Sequence, residues 1–291
     1  DQNGCTTSDT ASVLTLNSLQ ILASSAAPIC ANSATGSIDL TLSGGTGPFQ
    51  YLWSNNATTE DLSNTSAGTY TVLATDVNGC SATISQTLTE PSAIVLGLQI
   101  TEPKCAGEAS GALDLTASGG TGTLQFSWSN SSSLEDLNNL SSGVYSVITT
   151  DANGCTAMIS ETLTEPPAIM LGLQITEPKC AGEASGALDL TASGGTGNLQ
   201  FLWSNNSILE DLNNLSSGIY TVTITDANGC TSTASETLSE PTAIVLGFQK
   251  TDLNCPGDQG AINLTAGGGL PPFTFEWSNG ETTEDITVLQ S

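Results

Sequence analysis

The chain has 291 residues, of which 29 are acidic, three are basic and none is histidine, giving a formal net charge of −26 at pH 7. This charge excludes a nucleic-acid or anionic-lipid partner by repulsion, and the lack of histidine excludes Ser-His-Asp and Cys-His catalytic sites. No run of about 18 apolar residues occurs, so we expect no membrane span in this segment.

The chain repeats itself with a period of 75 residues. Cysteines stand at 5, 80, 155 and 230 and again at 30, 105, 180 and 255, and the 27 residues at 96–122 recur unchanged at 171–197. Such a period predicts a tandem array of one small domain. We divide it into 1–16 (terminal strands of an incomplete repeat), repeat 1 (17–90), repeat 2 (91–165), repeat 3 (166–240) and repeat 4 (241–291), which lacks its last two strands.

Each repeat is predicted to consist of short strands. In repeat 2 the runs with alternating apolar residues are 93–101, 111–118, 124–130, 133–140, 143–151 and 155–166, and the fourth of them is irregular enough to predict a bulge. Gly, Asn, Asp and Ser separate the runs, as expected for turns. The fold class is therefore all-β, an array of Ig-like β-sandwiches of six or seven strands each.

One tryptophan and one tyrosine recur on predicted strands, and we expect them in the core between two sheets. The tryptophans are Trp53, Trp128, Trp203 and Trp277, and the tyrosines are Tyr70, Tyr145 and Tyr220. An exposed tryptophan that stacks on a ligand is the alternative for the first set.

The turn before the last strand has the sequence Asp-x-Asn-Gly. Its carboxylate and amide oxygens are suited to bind calcium, which is the one cofactor that the sequence allows. The candidate ligands are Asp76, Asn78, Asp151, Asn153, Asp226 and Asn228, to which Glu90, Glu165 or Glu240 at the repeat boundaries would add another. The other interpretation is that these aspartates bond only to neighbouring backbone N–H groups. A complete calcium site needs more ligands than this turn provides, so we favour that interpretation.

The even, regular cysteines favour structural disulfides and an oxidising, extracellular or cell-surface location. Pairing cysteines 25 residues apart would require a bridge across two extended strands, which exceeds the roughly 7 Å that a disulfide allows between Cα atoms. We therefore favour pairing within a repeat, leaving Cys255 and Cys5 to bond neighbouring segments or chains. The predicted pairs are Cys30–Cys80, Cys105–Cys155 and Cys180–Cys230.

The spacing of these motifs resembles the SprB repeat of very large cell-surface proteins from gliding and other Bacteroidota. The matching residues in repeat 2 are Cys105, Gly111, Gly119, Gly120, Trp128, Ser129, Gly143, Tyr145, Asp151, Asn153, Gly154 and Cys155. The resemblance implies a β-sandwich module, export by type IX secretion, and work as an adhesin, gliding protein or surface appendage. In the family a glycine usually follows the Trp-Ser-Asn motif. This sequence has Asn56 and Ser131 at that position, and only Gly280 keeps the glycine. The tight turn after tryptophan is therefore in question for three copies.

The function that we expect is structural and not enzymatic. The acidic pairs 60–61, 135–136, 210–211 and 284–285 are adjacent strand residues, which point to opposite faces and cannot act together as acid and base. The Pro-containing links after each repeat predict a stiff stalk or filament segment of an adhesin, with other copies of the array as partners. The alternatives are a binding module for glycans or a partner surface, rigidified by calcium, and a filament subunit that exchanges strands; a window cut from a longer array is preferred to strand exchange.

Overall fold

The computed structural model describes residues 2–9, 18–255 and 258–289, and every regular element in these ranges is a β-strand. Repeat 1 contains β1 (Gln20–Ala26), β2 (Gly36–Ser43), β3 (Gln50–Trp53), β4 (Leu62–Thr65), β5 (Gly68–Thr75) and β6 (Ser81–Leu88). Repeat 2 contains β7 (Val95–Thr101), β8 (Gly111–Ser118), β9 (Gln125–Trp128), β10 (Leu137–Leu140), β11 (Gly143–Thr150) and β12 (Thr156–Leu163).

The same order of strands continues along the chain. Repeat 3 contains β13 (Met170–Thr176), β14 (Gly186–Ser193), β15 (Gln200–Trp203), β16 (Leu212–Leu215), β17 (Gly218–Thr225) and β18 (Thr231–Leu238). Repeat 4 contains β19 (Val245–Thr251), β20 (Gly260–Gly267) and β21 (Ile286–Leu289). No helix capable of crossing a membrane is found within the described ranges.

Each of the first three repeats contains two three-stranded sheets. In repeat 1 the strand orders are β1-β2-β4 and β3-β5-β6, and the antiparallel pairs within them place alternate residues on one face. Apolar residues of both sheets meet between them: the core of repeat 3 contains Leu188, Leu190, Trp203, Leu212, Leu215, Val222, Ile224 and Leu238. The predicted all-β array of Ig-like sandwich repeats is confirmed, with six strands in each of repeats 1–3.

The contacts between Cα atoms divide the chain into two compact units. The first comprises Asp1–Thr101, Gly111–Asn139 and Gly143–Leu163, and the second comprises Glu102–Ser110, Leu140–Ser142 and Thr164–Ser291. The repeat boundaries drawn from the sequence therefore stay a prediction.

The fourth strand of the repeats is irregular, as its sequence suggests. The register between β2 and β4 shifts between Gly36 and Ile38, and the same shift recurs between β14 and β16. Within these short strands Asn64, Asn139 and Asn214 have φ values between 52° and 57°, a left-handed conformation that asparagine tolerates better than most residues.

The tight turn after each tryptophan is kept even where glycine is replaced. Asn56, Ser131 and Asn206 have φ values of 68°, 68° and 64°, close to the 85° of Gly280. In all four turns the backbone N–H of this residue donates to the tryptophan carbonyl at 2.9 Å. The turn geometry is therefore set by the surrounding strands, and Ser131 adopts a backbone conformation that costs a non-glycine residue free energy.

Candidate functional site

The candidate site is a recurring joint built from four segments of the repeats. The cysteine loop joins the first two strands (27–35, 102–110, 177–185, and in repeat 4 the described residues 252–255 and 258–259). The glycine loop follows the second strand (44–49, 119–124, 194–199, 268–273). The Asp hairpin is the turn between the last two strands (76–80, 151–155, 226–230), and the link connects successive repeats (89–94, 164–169, 239–244).

The aspartate of each Asp hairpin is buried and holds two loops together. Asp151 accepts backbone N–H bonds from Asn153 and Cys155 on Oδ1, at 2.9 and 2.8 Å, and from Thr121 of the glycine loop on Oδ2, at 2.8 Å. Asp76 and Asp226 make the equivalent bonds. The carboxylate thus positions the hairpin against the glycine loop of its own repeat.

These bonds also determine the protonation of the aspartates. Burial raises the pKa of Asp76, Asp151 and Asp226, but the backbone N–H donors outweigh it and lower the pKa of each carboxyl below its ordinary value of 3.8. The largest donors are Cys80 for Asp76, Cys155 for Asp151 and Thr196 for Asp226. Each of these aspartates is therefore charged at neutral pH and compensated by backbone dipoles.

The carboxylate oxygens proposed as calcium ligands already accept hydrogen bonds in this arrangement. Both carboxylate oxygens of Asp76, Asp151 and Asp226 accept N–H bonds, while the side-chain amides of Asn153 and Asn228 donate to backbone carbonyls. Glu90, Glu165 and Glu240 accept backbone N–H bonds of 2.8–2.9 Å from Asn32, Gly107 and Gly182 in the cysteine loops. No cluster of three or more Asp, Glu, Cys or His suited to a metal ion occurs in residues 2–9, 18–255 and 258–289.

The link packs directly on the glycine loop. Gly120 donates its N–H to the carbonyl of Ser92 at 2.9 Å, and a Cβ on Gly119 would overlap the carbonyl of Ala93. Gly119 has a φ of 82°, which a residue with a side chain rarely adopts. The paired glycines in "SGGTG" are therefore required by the close approach of the link.

A disulfide between Cys30 and Cys155 closes the joint in the first unit, with the two Cα atoms 5.6 Å apart. It connects the cysteine loop of repeat 1 to the Asp hairpin of repeat 2, across the link. Asn153 adds a bond of 3.3 Å from its side-chain amide to the carbonyl of Ile29. The two cysteines, Pro91–Ile94 and Gly120 line a cavity of about 230 Å³ beside the disulfide.

The same joint occurs in the second unit. Cys105 of the loop 102–110 bonds Cys230 of the hairpin 226–230, again with Cα atoms 5.6 Å apart. Asn228 donates to the carbonyl of Lys104 at 3.0 Å, and the cavity beside this disulfide measures about 250 Å³. Both disulfides thus join cysteines that are 125 residues apart.

The predicted pairs Cys30–Cys80, Cys105–Cys155 and Cys180–Cys230 are wrong, because the two cysteines of one repeat lie at opposite ends of it. Cys30 precedes β2, whereas the Asp hairpin with Cys80 is bonded to Thr46, which follows β2. The eight residues of β2 separate the two ends by about 26 Å, at about 3.3 Å per residue. The predicted bonds of Cys255 and Cys5 to neighbouring segments or chains stay a prediction.

A third joint, between repeats 3 and 4, has no Asp hairpin among the described residues. Its cavity of about 340 Å³ is lined by Cys180, Ala181, Pro241–Ile244, Gly269 and Leu270. Cys180 is exposed and belongs to no disulfide, and Leu270 is 70% exposed. The link contacts are nevertheless present, since Gly269 donates to the carbonyl of Thr242 at 2.7 Å.

The aromatic residues assigned to the core have structural partners. Trp53, Trp128 and Trp203 are buried, and their indole N–H groups donate to the carbonyls of Thr59, Leu134 and Leu209. Trp277 is half-buried and makes the same bond to Thr283. Tyr70, Tyr145 and Tyr220 are half-buried, and the hydroxyls of Tyr70 and Tyr220 donate to the carbonyls of Ser66 and Ser216.

The acidic pairs also serve the fold. Asp61, Asp136, Asp211 and Asp285 each accept the backbone N–H of a leucine on the second strand of the repeat, at 2.9–3.0 Å. Sequence reasoning missed both this role and the joint. The cysteine positions could have indicated the joint. The second cysteine of a repeat stands 50 residues after the first, and the period is 75, so a bond to the second cysteine of the following repeat spans 125 residues.

A family model described as SprB repeat matches residues 23–58, 97–133, 172–207 and 247–282. No curated protein matches the chain. Among solved structures, the chain is similar to the N-terminal eight Ig domains of Down Syndrome Cell Adhesion Molecule isoform 1.30.30, with 14% identity, a TM-score of 0.32 and coverage of 93% of this chain. It spans only 44% of that structure.

The chain is also similar to the tetra-tandem repeat in the extending region of a large adhesion protein, with 14% identity, a TM-score of 0.25 and coverage of 93% and 87% of the two chains. Each family match contains the first cysteine and the tryptophan of its repeat, such as Cys105 and Trp128, whereas the later residues of the resemblance, such as Tyr145 and Cys155, lie outside the matches. The chain belongs to the SprB-repeat family.

Proposed function

We propose that this chain is a structural stalk segment of a secreted or cell-surface adhesin, in which successive repeats are fastened to each other. The observation that supports it most is the Cys30–Cys155 disulfide, which connects two successive repeats instead of two strands of one repeat. Membership of the SprB-repeat family supports an adhesin-type repeat region at the cell surface. Gliding, type IX export and assembly into a surface filament or appendage are finer parts of the same proposal.

The contacts of the joint explain how a stalk would resist bending. The link is bonded on one side to the glycine loop, through Gly120 and Ser92, and on the other to the cysteine loop, through Glu90 and Asn32. The disulfide adds a covalent bond between the cysteine loop of repeat 1 and the Asp hairpin of repeat 2. Because these bonds involve backbone atoms on short loops, bending would have to break several of them together.

Small-angle scattering of the oxidised chain and of a Cys30→Ser/Cys105→Ser variant tests this proposal. We expect the oxidised chain to scatter as an extended, stiff particle and the variant as a more flexible one with the same repeat folds. A Cys180→Ser variant is the matched control and should scatter like the parent. Scattering typical of one compact globule for the oxidised chain would overturn the stalk.

A second candidate, a binding module for neutral glycans or a partner surface, is favoured by the outer face of β17 and β18. Its exposed positions are uncharged, and Thr221 and Ser235 form a hydroxyl pair of 3.0 Å across the strands; Thr71 and Ser85 do the same in repeat 1. Thr221→Lys should abolish retention on a neutral glycan array, whereas Thr191→Lys on the other sheet should not. Equal retention of both would contradict it.

Calcium would serve the stalk only by adding stiffness, and the occupied carboxylates give it little to bind. We expect the thermal unfolding midpoint to stay unchanged on titration with calcium. A rise in the midpoint that Asp151→Asn removes would establish the calcium-rigidified alternative.

A further inference from the structure

We propose that the two disulfides together brace the chain between Cys30 and Cys230 as a covalent ladder. The ladder limits how far a load can stretch this section and keeps it joined after the backbone is cut. The inference deepens the proposed stalk function, on which it rests, because a segment that carries tension at a cell surface needs both properties.

The two disulfides tie the chain at two points. Cys30 and Cys155 form the first tie, and Cys105 and Cys230 form the second. Because Cys105 lies between Cys30 and Cys155 in the sequence, the two covalent loops overlap instead of following one another. Three arms of the same chain therefore connect the two ties. They are the two long arms of 75 residues, 30–105 and 155–230, and the short arm of 50 residues, 105–155.

The overlap follows from where the two cysteines of repeat 2 lie. Cys105 precedes β8, whereas the hairpin with Cys155 is bonded to Thr121, which follows β8. The eight residues of β8 span about 26 Å at about 3.3 Å per residue, so the two cysteines meet different neighbours. Cys155 bonds the preceding repeat, and Cys105 bonds the following one. The short arm is therefore the body of repeat 2, from β8 to β11.

A load along the chain would make the short arm taut first. With both bonds closed, the two ties can separate only by the contour of 50 residues, which is about 175 Å at about 3.5 Å per residue. Without the bonds, the 200 residues from Cys30 to Cys230 would extend to about 700 Å. Each long arm is 25 residues longer than the short arm, so it becomes taut only after the short arm breaks.

The same arrangement keeps the section joined after a cut. A single cut between Cys30 and Cys230 severs one arm and leaves two. The basic residues of this section are Lys104 and Lys179, which are exposed, and each lies in a long arm. The short arm contains neither lysine nor arginine. A protease specific for basic residues can therefore cut both long arms and still leave the arm that bears the load.

Digestion of the oxidised chain with a lysine-specific protease tests the ladder without any substitution. The free thiols are first alkylated, and the chain is then cut in denaturant after its three lysines, giving the peptides 1–104, 105–179, 180–250 and 251–291. We expect the first three peptides to migrate as one species without reductant and to separate on reduction, because the two disulfides join them. Bonds within single repeats would leave four separate peptides and overturn the ladder.

Single-molecule stretching measures the limit itself. The full chain is held by peptide tags at both ends, so that no thiol is used for attachment. Reduction should lengthen the fully stretched chain by 150 residues, or about 525 Å. Cys30→Ser/Cys155→Ser and Cys105→Ser/Cys230→Ser should each lengthen it by only 25 residues, or about 90 Å, because either bond alone leaves an arm of 75 residues. Cys180→Ser, the control, should keep the length of the parent.

These lengths are measured on the stretched chain, and mass spectrometry of linked peptides confirms that the remaining bond has formed in each variant. A gain of 100 residues from either pair of substitutions, as bonds within repeats would give, or no gain on reduction would overturn the ladder. An oxidised chain that still scatters as an extended particle would then show that the stalk had not failed with it. Compact scattering together with the expected lengths would overturn the stalk alone.

Discussion

Repeats 3 and 4 both lie in the second unit and each has a first sheet of the same strand order, but among the described residues only repeat 3 has a second sheet that covers its core. In repeat 3, Leu190 and Trp203 are each 2% exposed under the second sheet, β15-β17-β18. In repeat 4, the equivalent Leu264 and Trp277 are half-buried beside a cavity of about 320 Å³. Even so, Trp277 keeps its indole bond to Thr283 at 2.8 Å. The hydrogen bond of the tryptophan therefore forms without the second sheet, whereas burial of the leucine and tryptophan side chains needs both sheets.

The largest effect should come from shortening the matched leucines. Leu190→Ala should lower the free energy of unfolding of repeat 3 by about 2–5 kcal/mol, because it leaves a cavity in a closed core. Leu264→Ala should cost clearly less, since its side chain already borders open space. Hydrogen exchange at the amides of β17 and β20 measures the two repeats separately. Equal losses at both positions would show that repeat 4 is as well packed as repeat 3.

The joints offer the same contrast between a closed and an open example. Cys30→Ser should destabilise the first unit by about 2–4 kcal/mol, because it releases a disulfide that closes a long stretch of chain. Cys180→Ser should change stability by less than about 0.5 kcal/mol, as an exposed substitution without a bonded partner. Thermal unfolding without reductant checks both. A loss at Cys180 matching that at Cys30 would contradict the open joint.

The sequence predicted the repeats and the strands well because both depend on local patterns. Alternation of Leu113 and Leu115 with polar neighbours, and turns rich in glycine, are properties of a few adjacent residues. The irregular fourth strand was also visible, since its leucines at 134, 137 and 140 do not fit a period of two. The family resemblance was likewise set by the spacing of residues within one repeat.

The disulfides could not be predicted by the same reasoning because their partners belong to different repeats. Spacing along the chain favoured Cys30 with Cys80, but spatial neighbours are decided by which end of β2 each cysteine occupies. That requires the bond between Asp76 and Thr46, which ties the hairpin to the far end of the strand. The occupied carboxylates of the supposed calcium site follow from the same bonds. The alternation of apolar and polar residues predicts a strand, but it does not indicate which distant segments pair with each other.

Acid should weaken the Asp hairpin of repeat 3, because backbone N–H groups hold Asp226 in its charged form. The pKa of Asp226 is lowered in the fold, so its stabilising contribution is fully present above the ordinary value of 3.8 and is lost as pH falls through the lowered value. Protection of the Asn228 and Cys230 amides should therefore fall only below pH 3.8. Asp226→Asn should remove this pH dependence. Loss of protection on raising the pH instead would contradict the sign.

The turn after tryptophan tests whether local backbone strain depends on a closed core. Ser131 and Gly280 occupy the same left-handed position, with φ values of 68° and 85°. Ser131→Gly should stabilise repeat 2 by about 1 kcal/mol, and Gly280→Ser should destabilise repeat 4 by about the same amount. Asn206→Gly should gain less, because asparagine tolerates this conformation. Chemical denaturation measures each change.

Repeats 2 and 4 should respond equally because the free-energy cost arises from the φ angle of one residue. The backbone N–H of that residue bonds the tryptophan carbonyl at 2.9 Å in both repeats. If Gly280→Ser had no effect while Ser131→Gly stabilised, the strain would depend on the second sheet. Local geometry and core burial would then be coupled, and the contrast between repeats 3 and 4 would need a different cause.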